Sequence, residues 1–345
     1  MKRRTSKILM VGGIFIAAAA VITIAVVLIT NSALSKAQYN DNRINSSSSI
    51  VSQTNNSNND ILNQDIQSEE SIITSVLPAN TELDEITIKS SMLTKGNLIL
   101  IDKDCKVPEE YADADYPSIY SDDASYVVRS TEMYLQQEAL DKLQEMTDAA
   151  ASDGIEGMLI VDGYRTQEKQ QRLFDEGIED LVEQGMSEEE AAEKTAQRVA
   201  KAGYSEHQLG LALDFDLHKI NYDDFADTDF AKWLDKNSWK YGYILSYPKK
   251  AEELGVMYEP WHFRYVGEGH AKYIHDNGMM LNEYIEMLHE KGSIIIQDEN
   301  GNNKWYVQYI KADGNNNIKA YIPKGSEYTV SGDNMGGYII TSVLE

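Results

Sequence analysis

Two short segments of this 345-residue chain concentrate the side chains able to do chemistry. SEHQLGLALDFD, residues 205–216, offers His207 and Asp214; EPWHFRYVG, residues 259–267, offers Glu259 and His262. In the first, Leu211, Leu213 and Phe215 alternate with Ala212, Asp214 and Asp216, so a strand here turns apolar residues to one side and Asp214 to the other. His207 precedes it by a turn containing Gly210, which lets the chain fold back until imidazole and carboxylate converge. In the second, Trp261, Phe263 and Tyr265 alternate with His262 and Arg264, and Pro260 stands at a tolerated first position of a strand. Two imidazoles and one carboxylate suit an open zinc site whose fourth position holds water. Zinc lowers the pKa of such a water to about 7, giving a nucleophile at neutral pH. Glu259, three residues before His262, is then the candidate general base, taking the proton from water and handing it to the leaving group. No serine or cysteine nucleophile is required. A single His or Asp in a strand is more often structural; the weight lies in the two segments together.

The elements that must position these residues read as short strands interleaved with helices. Apolar residues Leu135, Ala139, Leu143, Met146 and Ala150 recur at helical spacing, predicting a helix over 131–151 that ends before Gly154. A buried strand over 158–161 and a helix over 167–184 follow. Ser187 with Glu190 three residues on is a capping box, opening a helix that runs toward Gly203. Beyond the first segment the pattern gives a helix at 229–240, strands at 243–246 and 261–266, and a last helix over 269–289. Upstream, residues 86–128 read as strand and loop, with Ile86 and Ile88 alternating and an apolar run at 98–101. Irregular crossovers argue for an α+β fold, a small antiparallel sheet with flanking helices, over a regular parallel one. Residues 293–345 hold four β-prone runs, 294–296, 305–310, 318–322 and 338–341, and read as a small all-β module. That module is either a structural extension packed on the body or a binding or positioning device.

The ends of the chain carry a different message. Residues 8–30 are 23 residues without a charge, about the ~20 a helix needs to cross a bilayer. Lys2, Arg3, Arg4 and Lys7 lie only on the N-terminal side, which keeps that end in the cytoplasm and sends the rest out. A cleaved signal peptide, with Ser35, Lys36 and Ala37 as a loose cleavage site, is the other reading, and it exports the body too. Residues 31–70 contain nine Asn and nine Ser with Tyr39 as the sole aromatic, too little apolar surface to offset the entropy of ordering. The expected organisation is therefore a cytoplasmic stub at 1–7, an anchor at 8–30, a linker at 31–85, a zinc domain at 86–291 and the β module at 292–345. A formal charge of -25 argues against a nucleic-acid partner, which is held by clustered Lys and Arg. With Cys105 as the single thiol, no intrachain disulfide can form.

The two segments resemble the S-x-H-x-x-G-x-A-x-D and E-x-W-H motifs of the LAS zinc peptidases, specifically the VanY-like D-alanyl-D-alanine carboxypeptidases. The resemblance extends over about residues 92–289, through GNLILIDKD at 96–104, GYRTQEKQ at 163–170 and YGYILSYP at 241–248. It implies the LAS/hedgehog-like fold, with His207, Asp214 and His262 as zinc ligands and Glu259 as the base. Arg165 matches the family's arginine, placed to stabilise an oxyanion or hold substrate, and Gln170 and Ser205 match positions that look like contacts to the substrate carboxylate. A guanidinium's fixed fork of donors suits either task of Arg165. The chain departs from the pattern of many relatives, S-G-Y-R-S, at Asp162 and Thr166, and from R-Y-P at Ser246; neither change removes a ligand or the base, but substrate choice is open at Ser246.

The resemblance thus implies a membrane-anchored, extracytoplasmic metallo-carboxypeptidase. It would trim the terminal D-alanine from peptidoglycan stem peptides, the activity of the serine-type D-Ala-D-Ala carboxypeptidases reached by a zinc mechanism. Two rivals use the same residues: an L,D-carboxypeptidase on tetrapeptide stems and an endopeptidase on cross-links. A catalytically silent wall-binding or sensor protein is the rival of another class. His218, His270, His275 and His289 lack ligand-like company and read as structural or solvated.

Overall fold

The computed structural model describes residues 76–344 apart from 113, 218–221 and 315. The expected anchor at 8–30, most of the linker and His218 lie outside the described residues. Among the described residues no helix is long and apolar enough to cross a membrane. The chain is a mixed α and β protein. In order it forms β1 (Leu83–Ile88), β2 (Val127–Val128), α1 (Gln137–Ser152), β3 (Met158–Asp162), α2 (Gln167–Glu183) and α3 (Glu188–Thr195). After the turn that carries His207 come β4 (Ala212–Leu217), α4 (Asp229–Asn237), β5 (Tyr243–Leu245), β6 (His262–Tyr265), α5 (Glu268–Asn277) and α6 (Leu281–Lys291). Five strands close the chain: β7 (Ser293–Gln297), β8 (Asn303–Lys311), β9 (Ile318–Pro323), β10 (Tyr328–Gly332) and β11 (Gly337–Val343).

The central sheet has the order β2-β3-β4-β6-β5. It is antiparallel except for the short β2–β3 pair, which is parallel. Alternation along β4 and β6 divides its two faces. Leu213, Phe215, Phe263 and Tyr265 enter one core with Leu140, Leu143 and Met146 of α1 and with Phe230 and Leu234 of α4. Phe215 meets Phe230 and Phe263 edge-on at centroid distances of 5.2 and 5.9 Å, a preferred aromatic geometry. Burying each such side chain stabilises by roughly 1.5–3 kcal/mol, and a register slip of one residue would turn all of them to the other face. The apolar half of the pattern therefore fixes where the polar half points.

Several boundaries differ from the sequence expectation, each for a local reason. The helix expected from 131 begins at Gln137, because the preceding backbone is engaged elsewhere: Leu135 N–H donates to Pro117 O and Gln136 N–H to Gly210 O. The helix opened by the Ser187 capping box, which is present, ends at Thr195 rather than at Gly203. The chain beyond it turns its polar backbone inward, with Ala200 O accepting from Gln170 Nε2 and Gly203 N–H donating to Gln208 Oε1. The helix expected over 269–289 is two helices, the second capped where Glu283 accepts from Met280 N–H.

The C-terminal strands form a four-stranded antiparallel sheet of order β10-β11-β8-β7. All four expected runs are strands, and β10 adds a fifth. β1 pairs with β9 from Leu83↔Pro323 to Ile88↔Ile318, so ordered pairing starts at Leu83 and joins the two ends of the described chain. Ile294, Ile296, Val307 and Ile339 share one apolar core with Ile244, Val266, Ile274 and Leu288. The apolar run at 98–101 is buried but joins no ladder. Its backbone is held instead by the β10–β11 hairpin: Leu98 N–H donates to Ser331 Oγ at 3.0 Å and Leu100 N–H to Asp333 O at 3.1 Å.

Candidate metal centre

The polar face of the sheet is built from paired positions. Asp214 of β4 stands opposite His262 of β6 on one side and Asp162 of β3 on the other. A bulge between Ile160 and Asp162 adjusts the register there, as bulges beside functional sites do. His207 comes from a 3₁₀ turn, Glu206–Leu209, ended by Gly210 at φ 69. A Cβ at Gly210 would lie 2.5 Å from the Tyr116 ring, so both the backbone angle and the space demand glycine. Folding back at this turn brings the imidazole over β4, as the sequence suggested.

His207, Asp214 and His262 offer ligand atoms that all lie within 4.8 Å of one another. All three residues are buried. Asp214 Oδ1 is 3.4 Å from His207 Nε2 and 2.9 Å from His262 Nδ1. The outer nitrogens are both engaged: His207 Nδ1 lies 2.8 Å from Gly163 O, and His262 Nε2 lies 3.0 Å from Glu206 Oε2. A carbonyl can only accept, so His207 Nδ1 donates and the neutral ring turns the Nε2 lone pair toward Asp214, whereas His262 lies between two carboxylates and donates from both nitrogens until a metal displaces the proton on Nδ1. A divalent cation in place of that proton would find two ring nitrogens and a carboxylate oxygen converging on it. Two nitrogens and one oxygen, with the outer nitrogens held by acceptors, fit a divalent ion of the zinc type with room for further ligands.

The electrostatics agree. Burial opposes ionisation of Asp214, but His207 and His262 beside it hold its carboxyl well below the usual carboxylate range. Burial and the Arg165 charge push the His207 pKa down, which favours the neutral, ligating form. Burial also works against a proton on His262, yet hydrogen bonds to Asp214 and Glu206 raise its pKa to about 10. A metal must therefore compete with a proton at His262, and its binding is expected to weaken as pH falls.

Glu259 lies in the turn before β6, its N–H donating to Tyr247 O and its carbonyl accepting from His262 N–H, both at 3.1 Å. Burial pushes its carboxyl up to about 7, while His262 and Arg165 pull the other way and Asp214 adds to the rise. This is the range in which a carboxylate serves as a proton carrier at neutral pH. Arg165 follows β3 and spreads its fork over three partners: Nε to Asp162 Oδ2 at 3.0 Å, Nη1 to Gln170 Oε1 at 3.2 Å and Nη2 to Asp214 Oδ2 at 3.5 Å. Asp214 thus shows one oxygen to the histidines and the other to the arginine.

Gln170 is fully buried, and its amide is engaged at both ends, Oε1 by Arg165 and Nε2 by Ala200 O. Its contact here is with the guanidinium. Ser205 is buried beside His207, where its carbonyl accepts from Gln208 N–H and closes the turn. Trp261 is buried in the core. His270, His275 and His289 are engaged away from the centre, with Tyr284 and Thr341, with Trp239, and with Asp333 and Tyr309. Sequence reasoning missed Glu206, Arg264 and the pairing role of Asp162. Glu206 and Arg264 stood in the two site segments and Asp162 directly before GYRTQEKQ; Arg264 shared the alternation that assigned His262.

A family model described as VanY, D-alanyl-D-alanine carboxypeptidase, matches residues 132–268. A D-alanyl-D-alanine carboxypeptidase of Enterococcus faecium is 31% identical over 283 residues, covering 81% of this chain and 85% of the relative. A second protein of that description, from Enterococcus faecalis, is 42% identical over 146 residues, covering 41% of this chain and 52% of the relative. In fold, the chain is similar to the vancomycin resistance D,D-dipeptidase VanXYg, solved with a D-Ala-D-Ala phosphinate analogue. That likeness has a TM-score of 0.64 at 24% identity and covers 76% of this chain and 100% of the other. The matched share is larger than residues 86–291 alone could supply.

Proposed function

The chain belongs to the VanY family of D-alanyl-D-alanine carboxypeptidases, and from that membership we propose a zinc-dependent enzyme that removes the terminal D-Ala from peptidoglycan stem peptides. The observation that carries the reading is the convergence of His207 Nε2, His262 Nδ1 and Asp214 Oδ1 with both outer ring nitrogens engaged. Zinc, when bound, supplies a Lewis acid that lowers the pKa of a water molecule and polarises the scissile carbonyl. Glu259, with its carboxyl raised to about 7, takes the proton of the attacking water and returns it to the leaving D-alanine nitrogen. Arg165 meets the negative charge of the substrate, at its terminal carboxylate or at the oxygen of the tetrahedral stage, through donors held in a fixed plane. Asp162 and Gln170 hold that plane, one at Nε and the other at Nη1. Lys169, donating to Asp162 Oδ1 at 2.7 Å, offsets part of the carboxylate charge beside the arginine. Ser205 and Gln170 remain the expected neighbours of the substrate carboxylate.

The uncharged run at 8–30, with basic residues only before it, supports a single-pass anchor with the catalytic body on the outer face of the membrane. The C-terminal sheet shares its core with α5 and α6, which supports a structural extension over a separate wall-binding device.

The test is mass analysis of pentapeptide and tetrapeptide stems after incubation with the protein, with and without a chelator. Loss of one alanine from pentapeptide alone, abolished by the chelator and by Glu259→Ala, is the expected result. Cleavage of tetrapeptide alone would give the site to an L,D-carboxypeptidase. No bound metal and no mass change on either stem would overturn the enzyme reading.

A further inference from the structure

We propose that Glu206 and Arg264 are positioning residues that fix His262 in the ring orientation and tautomer a metal requires. The proposal rests on the metallopeptidase reading and adds two residues outside the His207, Asp214 and His262 group. His262 could offer either nitrogen to an ion. Which one it offers is decided by its other neighbour, and that neighbour is Glu206 Oε2, 3.0 Å from Nε2. The same carboxylate is held from behind, Arg264 Nη1 donating to Glu206 Oε1 at 2.7 Å. Arg264 is wholly buried on the metal-bearing face of β6, opposite Ala212 of β4. Its Nη2 donates to the carbonyls of Asn97 at 3.1 Å and Ile99 at 2.6 Å.

The backbone that supplies those carbonyls is itself fixed by the β10–β11 hairpin. Gly332 N–H donates to Lys95 O at 2.7 Å, and Ser331 and Asp333 hold Leu98 and Leu100. A line of contacts thus runs from the C-terminal sheet through 95–101, Arg264 and Glu206 to a metal ligand. A buried ion pair is a poor device for stability alone, since apolar replacements often serve as well. What this pair provides is a carboxylate that cannot turn away from the histidine, and partners of this kind orient metal-bound imidazoles and raise their basicity.

The experiment compares the full-length chain with Glu206→Ala, Glu206→Gln and Arg264→Lys, each shown folded by circular dichroism below its melting temperature. Zinc affinity is read by competition with a chromophoric chelator, and ligand geometry by the visible absorption of the Co²⁺-loaded protein. Glu206→Ala should weaken zinc binding about 10- to 100-fold and alter the Co²⁺ spectrum. Glu206→Gln, whose amide oxygen can still accept from Nε2, should recover part of that loss, and Arg264→Lys should fall between. A role in folding alone would lower melting temperatures and leave zinc affinity and the Co²⁺ spectrum of the folded variants unchanged; that result overturns the proposal. If Glu206→Ala does not fold, Glu206→Gln decides: a loss of about threefold or more supports the proposal, and affinity equal to the parent overturns it. A parent protein that binds no zinc would sink the metallopeptidase reading and this proposal together, an outcome distinct from tight binding by parent and variants alike.

Discussion

Replacing Glu259 by Gln keeps the shape of the side chain and removes its ability to take a proton, and it should change stability and turnover in opposite directions. Burial raises the Glu259 carboxyl from an ordinary value of 4.5 to about 7 in the metal-free protein. A raised acid keeps its proton in the folded state up to about pH 7, whereas the unfolded chain gives it up near 4.5. Folding stability is therefore lost as pH rises through that window. The shift corresponds to about 3 kcal/mol by pH 8 and less than about 1 kcal/mol at pH 5. Glu259→Gln carries no such charge, so the metal-free variant should be more stable than the parent at pH 8, by up to about 3 kcal/mol, and nearly equal to it at pH 5. Urea unfolding at the two pH values in a chelator measures this directly. Turnover should fall about 10²- to 10⁴-fold, the usual contribution of a positioned base, which is about 3–5 kcal/mol of barrier. Zinc affinity should change little, because Glu259 is not a ligand. A variant no more stable than the parent at pH 8, or one that retains a large part of its activity, would refute the assignment of a buried, high-pKa base.

Three further outcomes can be checked. Arg165→Lys leaves one ammonium to serve the partners of a three-way fork and should lower kcat/KM on pentapeptide by roughly 10²-fold; steady-state kinetics showing under a threefold change would contradict the assignment. A Cβ at Gly332 would lie 1.8 Å from Leu93 O, so Gly332→Ala must part the hairpin from 92–98. At about 1 kcal/mol for each hydrogen bond lost there plus about 1–3 kcal/mol of overpacking, urea unfolding should show a loss of roughly 3 kcal/mol. His270 is buried between Tyr284 and Thr341, and burial lowers its pKa to about 4. A lowered base costs stability as pH falls below the ordinary 6.5, because the unfolded chain takes the proton first. Its share should be about 2 kcal/mol between pH 8 and pH 5, measured as the difference in pH dependence between parent and His270→Gln.

The candidate site was largely legible because period-two alternation states which residues share a face. His262 and Asp214 are opposite one another because Phe263 and Leu213 must both be buried, and that requirement is written in the sequence. The partners of His262 were not legible. Glu206 stands at an unspecified position inside the first motif and Arg264 two residues past the second, where a charge looks solvated until the fold closes over it, and only tertiary structure shows that the two share a dry space. The β1–β9 pairing was hidden for another reason: its strands come from opposite ends of the described chain, and no local signal encodes such a partner. β10, Tyr-Thr-Val-Ser-Gly, is too polar to stand out from a loop. The break between α5 and α6 was masked by apolar periodicity that continues across it.

The turn holding Arg165 and the turn holding His207 exchange hydrogen bonds: Arg165 N–H donates to His207 O at 3.1 Å, and Gly163 O lies 2.8 Å from His207 Nδ1. The two turns are locked into a ruler of fixed length, with the Arg165 guanidinium at one mark and the candidate metal centre at the other. If the terminal carboxylate is what Arg165 reads, the distance from chain end to scissile bond is not adjustable. Two further residues of tail would need roughly 7 Å more, and neither turn can give way without dragging the other. Preference for the last residue over internal bonds would then be a property of spacing, and loosening either turn should blur where the cut falls before it slows the cut itself.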